Sequence, residues 1–143
     1  MTDDSSLQFV DTNILVYAHD RSAGEKYHQA RAAIQSLWDS GLGCLSVQVL
    51  QEFYVTLTRK VMRPVSPDEA RQLVADLSTW RVHSPDAEDV LGAIDLQQRY
   101  QLSFWDAMIL LSAIRIGAQT VLSEDLNPGQ DYDGLRVIDP LLG

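Results

Sequence analysis

The chain lacks the features that mark several large classes of protein. Cys44 is its only cysteine among 143 residues, which excludes an intrachain disulfide and a cysteine zinc cluster. We expect Cys44 to be a small core residue rather than a nucleophile. The longest apolar stretch, AMILL from Ala107, is too short to span a bilayer. The N-terminal MTDDSS lacks the basic and apolar regions of a signal peptide, which predicts a cytoplasmic location without a membrane partner.

Positive charge is scarce as well, since the formal net charge is −9. This argues against a general nucleic-acid binder, because phosphate binding normally uses a basic face. It does not exclude a nuclease, because acids gathered around bound cations present a positive site within a negative chain. The negative charge would also suit a basic protein partner.

Strand-like and helix-like segments alternate along the chain. The predicted strands are LQFVD, GCLSV, TWRVHS, QTVLS and LRVIDP, the last at an edge of the sheet. The length and the 45% apolar content suit one domain over residues 1–143. The pattern predicts an α/β fold, a three-layer α/β/α sandwich with a mainly parallel central sheet. In such folds the working crevice lies beyond the carboxyl ends of the strands.

Local signals place several helix ends. Thr12 is predicted to cap the first helix, Gly41 to end the second, and Ser103 to start the helix that contains AMILL. Ser66 followed by proline and two acids predicts another helix start. One predicted helix, VQVLQEFYVTLTRKVM, carries an apolar stripe made of Val47, Leu50, Tyr54, Leu57 and Val61.

Two aspartates follow predicted strands at equivalent places. Asp11 ends the strand LQFVD, and Asp125 comes shortly after QTVLS. If these strands are neighbours, both carboxylates point into one crevice. The alternatives are a helix cap for Asp11 and a turn residue for Asp125. Glu124 competes with Asp125 for the same role.

Two further acids, Asp106 and Glu52, lie in the early part of predicted helices. Asp106 is the third residue after Ser103, so it could complete a capping box, yet its helix is apolar on nearly every face and an acid there would be desolvated. Glu52 lies opposite the apolar stripe on a helical wheel, which indicates a solvated surface glutamate.

Clustering of such acids would have a physical consequence. Two like charges ~4 Å apart repel by about 4 kcal/mol at an effective dielectric of 20. Clustered carboxylates therefore protonate, separate or hold cations. Oxygen ligands suit Mg²⁺ or Mn²⁺, and a metal held in this way activates water for attack on a phosphate.

Four stretches in this order, FVDTNILVYAHD, QEFY, SFWDAMI and VLSEDLNPGQDYDGLRVIDP, resemble the PIN-domain ribonucleases. The similarity is close to the VapC-type toxins of bacterial toxin–antitoxin pairs and covers nearly the whole chain. It implies a metal-dependent endoribonuclease that hydrolyses RNA phosphodiester bonds with metal-activated water. It also implies a cognate antitoxin partner and a homodimer.

The resemblance assigns roles to residues. It maps an acidic quartet onto Asp11, Glu52, Asp106 and Asp125. This mapping replaces the prediction from the helical wheel that Glu52 is a solvated surface residue. Asp11 and Asp106 would ligate Mg²⁺ or Mn²⁺ directly, with the other two acids acting through water or a second metal. The family's hydroxyl residue after the first acid matches Thr12, and its polar residue that orients the acids matches Asn13. Glu124 stays an alternative to Asp125. The secondary residues are therefore Thr12, Asn13 and Glu124.

Other interpretations stay open at this point. One is a non-catalytic PIN-like module that binds RNA or protein. Another is a receiver-like phosphotransfer domain, which is disfavoured because no lysine follows the late strand QTVLS. Arg59, Lys60 and Arg63 suit either a helix C-terminus or the RNA backbone. Trp105, next to Asp106, is a candidate wall of the cleft.

Overall fold

A twisted sheet forms the centre of the computed structural model, which describes residues 6–142. Most of the N-terminal MTDDSS, together with Gly143, lies outside the described residues, so the bounds of the predicted domain stay a prediction. Within residues 6–142 the sheet has six strands. These are β1 (Gln8–Val10), β2 (Gly43–Ser46), β3 (Arg81–His83), β4 (Thr120–Leu122), β5 (Asp131–Tyr132) and β6 (Leu135–Ile138).

Helices connect the strands. They are α1 (Thr12–His19), α2 (Glu25–Ser40), α3 (Val47–Arg59), α4 (Pro67–Leu77), α5 (Ala87–Tyr100) and α6 (Phe104–Ile116). Helix α1 packs against α2 and α3, and α3 packs against α4. Helices α5 and α6 pack against each other, and α6 contacts β2 and β3. The predicted three-layer α/β/α sandwich is confirmed. No helix within the described residues is long and apolar enough to cross a membrane.

The strand order is β3-β2-β1-β4-β6-β5, and only the β5–β6 pair is antiparallel. The sheet is therefore mainly parallel, as predicted. LRVIDP does not form the edge, because the two-residue strand β5 pairs with β6 and covers it. Strand β5 is not among the predicted strands, since a two-residue strand has no periodicity to detect. Strand β1 lies between β2 and β4, so the order of the sheet reverses beside it, which is where open α/β sheets bind ligands.

Most predicted helix ends agree with the structure, and one differs. Gly41 ends α2 in the left-handed conformation (φ 74°), and the side chains of Ser66 and Ser103 cap α4 and α6. The cap of α1 is Asp11 and not Thr12, which is the first helical residue. Asp11 takes this role because its carboxylate accepts the Thr12 N–H at 2.7 Å.

Helix α3 is packed on more than one face, which the predicted stripe did not capture. Its core side chains are Val49, Phe53 and Leu57, each with no exposed surface. Of the predicted stripe, Leu57 lies in this core, whereas Leu50 and Tyr54 line an apolar groove against α4. A further face of α3 contacts α1, and Glu52 lies on this face.

Candidate active site

The carboxyl ends of β1 and β4 meet at one edge of the sheet. Val10 pairs with Leu122, and the backbone N–H of Asp11 donates to the Leu122 carbonyl at 2.9 Å. A cleft of about 460 Å³ opens at this edge. All four acids singled out from the sequence line it: Asp11, Glu52, Asp106 and Asp125. The fold therefore brings together carboxylates that are separated by up to 114 positions in the chain.

Asp11 is the most buried of these acids, with 6% of its surface exposed. Its carboxylate accepts the Thr12 N–H at 2.7 Å and the Ser123 hydroxyl at 2.9 Å. Burial raises the pKa of Asp11 from 3.8 to about 6, against the opposing effect of these two hydrogen bonds. The charges of Asp125 and Asp106 raise it further. The surrounding protein therefore only partly compensates the charge of an ionised Asp11.

Glu52 lies on the face of α3 that is turned toward α1. Its carboxylate accepts the Thr12 hydroxyl at 2.7 Å and the Gln48 amide at 3.3 Å, and its side chain is half-buried. The helical wheel predicted a solvated surface glutamate. That prediction is wrong, because a wheel of α3 alone does not include the contact with α1. The Gln48 amide also donates to the Trp105 carbonyl at 3.3 Å, so one side chain connects α3 to the start of α6.

Asp106 lies in the first turn of α6. Its backbone N–H donates to the Ser103 hydroxyl at 3.1 Å, which confirms the capping role predicted for that serine. The helix is buried from Ala107 to Ala113, but Asp106 itself is only half-buried and lines the cleft. The expected desolvation of this acid is therefore partial, because it precedes the buried turns.

Glu124 and Asp125 are directed to different places. The Asn13 amide donates to the Asp125 carboxylate, which lines the cleft. Burial raises the pKa of Asp125, and the charges of Glu124 and Asp106 add to the effect. Glu124 instead accepts the Tyr17 hydroxyl and forms an ion pair with Lys26 at 3.2 Å. Asp125 is consequently the member of the pair that faces the cleft.

Sequence reasoning missed several residues that organise this cleft. Ser123 is fully buried, donates to Asp11, and accepts the N–H groups of Asp125 and Leu126 at 3.1 and 3.3 Å. Its position directly after β4 was the available signal, since the residue at the carboxyl end of that strand faces the crevice. Gln48, one turn before Glu52, offered only helical spacing.

Tyr17 and Lys26 were missed for a different reason. They come from α1 and α2, and only the tertiary structure brings them to Glu124. No lysine follows β4 in the sequence, yet in the folded protein Lys26 lies beside Glu124, two positions after that strand. Lys26 does not line the acidic cleft, so it does not supply the lysine that a receiver-like site would use.

Within residues 6–142, no group of three His, Cys, Asp or Glu side chains is arranged to hold a metal ion directly. The four acids line one cleft but do not form a closed cage. Cys44 has no exposed surface, and burial raises the pKa of its thiol to about 12. Cys44 is therefore a core residue, as predicted.

The fold and the cleft define an α/β protein with an acidic site at the point where the strand order reverses. The model of the PIN domain family matches residues 9–130, which is most of the chain. The chain therefore belongs to the PIN domain family. No curated protein sequence shows significant similarity to it.

Several solved structures share this fold. A toxin-antitoxin complex from Klebsiella pneumoniae contains a chain with 20% identity and a TM-score of 0.67, covering 94% of this chain and 98% of that one. The Mycobacterium tuberculosis toxin VapC20, which cleaves the sarcin-ricin loop, has 21% identity and a TM-score of 0.60, with coverage of 80% and 86%. DNA-bound VapBC from Salmonella typhimurium has 17% identity and a TM-score of 0.66, with coverage of 94% and 98%. At these identities the likeness concerns the fold.

Proposed function

We propose that this chain is a metal-dependent endoribonuclease and the toxin of a toxin–antitoxin pair. The observation that carries the proposal is the convergence of Asp11, Glu52, Asp106 and Asp125 on one cleft of a PIN domain. The fold shared with VapC20, a toxin that cleaves the sarcin-ricin loop, supports RNA as the substrate class. The fold shared with toxin–antitoxin complexes supports the role as a toxin.

The residues of the cleft fit a hard divalent cation. The donors are carboxylate oxygens, which suit Mg²⁺ or Mn²⁺. Burial raises the pKa values of Asp11 and Asp125, and the charges of neighbouring carboxylates raise them further, so a bound cation would stabilise the ionised form of both. No group of three acids among residues 6–142 is arranged to hold a metal directly, so water would complete the coordination shell, as is usual for Mg²⁺.

We assign Asp11 and Asp106 as direct ligands, and Glu52 and Asp125 as ligands through water. When bound, the ion lowers the pKa of water and offsets negative charge on the phosphate oxygens. Glu52 and Asp125 would help to orient or deprotonate the attacking water. Hydrolysis of this kind needs no protein nucleophile and leaves a 5′-phosphate and a 3′-hydroxyl.

Thr12 and Asn13, which follow Asp11 in the chain, hold Glu52 and Asp125 in place. The Thr12 hydroxyl donates to Glu52, and the Asn13 amide donates to Asp125. Both donors belong to the first turn of α1, so one helix start fixes the orientation of two acids from distant segments. We propose that Thr12 and Asn13 act as positioning residues and that Glu124 has no contact with the metal.

The chain's charge of −9 suits an antitoxin whose inhibitory segment brings Arg or Lys to the acidic cleft. An antitoxin with an uncharged inhibitory tail would contradict this part of the proposal. We further propose that the toxin is a homodimer and acts in the cytoplasm, where its RNA substrates are found.

The test uses purified protein, a panel of structured and unstructured RNAs, and sequencing of the cleaved ends. Cleavage is expected with Mg²⁺ or Mn²⁺, and it should stop with EDTA and in Asp106→Asn. The matched control is Asp95→Asn, which alters an exposed aspartate of α5. RNA that is bound and never cut under any metal condition would instead identify a non-catalytic PIN-like module.

A further inference from the structure

A second pocket continues the acidic cleft along the C-terminal end of α3. Its volume is about 370 Å³, within the range of ~300–1,000 Å³ that is usual for ligand sites. Asn13, Thr56 and Lys60 line both this pocket and the acidic cleft. The two pockets therefore adjoin, with Lys60 at their border, and together they are called the groove.

Among residues 6–142, Lys60 is the only basic residue that lines either pocket. It is exposed, as are Arg59 and Arg63 close by in the chain. None of these three side chains forms an ion pair with any residue in the part of the chain that the structure describes. A cation without an internal partner, at the border of an acidic cleft, is suited to a ligand that carries its own negative charge.

Trp105 supplies a second kind of contact on the wall of the acidic cleft. Its side chain is 61% exposed, and its ring meets Phe104 edge-on, with the ring centroids 5.0 Å apart. Trp38 and Trp80, by contrast, pack against each other and line neither pocket of the groove. A large exposed indole beside Asp106 offers a flat surface on which an unpaired base can stack.

We propose that Lys60 and Trp105 are the residues by which this chain holds an RNA strand beside the four acids. Lys60 contacts a backbone phosphate where the two pockets join, Trp105 stacks on a base in the acidic cleft, and the second pocket receives a neighbouring nucleotide. The strand is unpaired because a base can reach the indole only when it is free of a duplex. This inference deepens the proposed function and rests on it for the identity of the ligand.

The experiment measures binding of a fluorescein-labelled, unstructured RNA oligonucleotide by anisotropy. Asp106→Asn is the background, so that the RNA stays intact. Adding Lys60→Ala is expected to weaken binding about tenfold and to lower the slope of log affinity against log salt by about 0.7, the value for one single-strand phosphate contact. Adding Trp105→Ala is expected to weaken binding about tenfold, and Trp105→Phe should restore part of the loss. The control, Arg81→Ala, alters an exposed cation of β3 outside the groove and should leave binding unchanged.

The outcomes separate this inference from the proposed function. If the otherwise unaltered chain cleaves RNA, but Lys60→Ala and Trp105→Ala leave both KM and RNA affinity unchanged, the groove is not the RNA path and the nuclease proposal stands. If the two variants weaken a complex with a protein partner and not with RNA, the inference is likewise overturned. If both variants weaken RNA binding but no RNA is ever cut, the groove is an RNA site and the catalytic proposal fails. Both substituted side chains are exposed, so folding should be unaffected, as a thermal melt can verify.

Discussion

Replacing Asp11 with asparagine is expected to stabilise the metal-free protein at neutral pH. The rise of its pKa from 3.8 to about 6 corresponds to about 3 kcal/mol of destabilisation when the carboxylate is ionised, at ~1.4 kcal/mol per tenfold change in proton affinity. Asparagine removes the charge and can still accept the Thr12 N–H. It loses an acceptor for the Ser123 hydroxyl, which costs about 1 kcal/mol. The net gain is therefore about 2 kcal/mol, or ~4–8 °C in Tm.

The pH dependence has a definite sign. The folded protein holds the Asp11 proton more tightly than the unfolded chain does, because the folded pKa is the higher one. Asp11 therefore contributes most to stability below pH ~4, and this contribution is lost as the pH rises through about 6. The stability of Asp11→Asn relative to the unaltered protein should grow over the same interval. In the difference between the two proteins, the contributions of all other titratable groups to the pH dependence of stability cancel.

The assay is urea denaturation in EDTA at pH 4 and pH 7.5, followed by tryptophan fluorescence. The exposed Asp95→Asn is the control and should change the free energy of unfolding little at either pH. Adding Mg²⁺ should stabilise the unaltered protein by about 2.7 kcal/mol at a hundredfold excess over Kd, and Asp11→Asn much less. An Asp11→Asn protein that is less stable than the unaltered chain at pH 7.5 in EDTA would refute the reasoning.

Two further predictions concern residues around Glu52 and Asp125. Gln48→Met keeps the side-chain length but removes the donor to Glu52, so kcat should fall about tenfold with KM unchanged. Its stability should hold, because Gln48 Oε1 is a buried acceptor without a partner among the described residues. An unchanged kcat would contradict a positioning role. Asp125→Asn should reduce cleavage at least about tenfold, whereas Glu124→Gln, which alters a carboxylate outside the cleft, should change it less than about threefold. Equal losses in steady-state cleavage would show that Glu124 also faces the metal.

The α/β fold was predictable because the local signals agreed with one another. Apolar strands alternate with capped helices, and the serines at positions 66 and 103 act as the caps that their spacing predicts. The two-residue strand β5 was not predictable, because pairing with β6 and not its own pattern makes it a strand. The core face of α3 was predicted incorrectly, because the predicted stripe left out Val49 and Phe53, which form the fully buried row of this helix together with Leu57.

The sequence by itself determined which residues could do chemistry here. Acids after two strands and in the first turn of one helix predicted an acidic site, and the resemblance to PIN domains added Glu52 and assigned the four members. Only the tertiary structure decided how they are held. Asp125 faces the cleft, where the Asn13 amide of α1 donates to its carboxylate. Glu124 faces Lys26 instead, and its carboxylate accepts the Tyr17 hydroxyl of α1. Adjacent residues look equivalent in a sequence, but the donors that distinguish them come from segments more than 95 positions away.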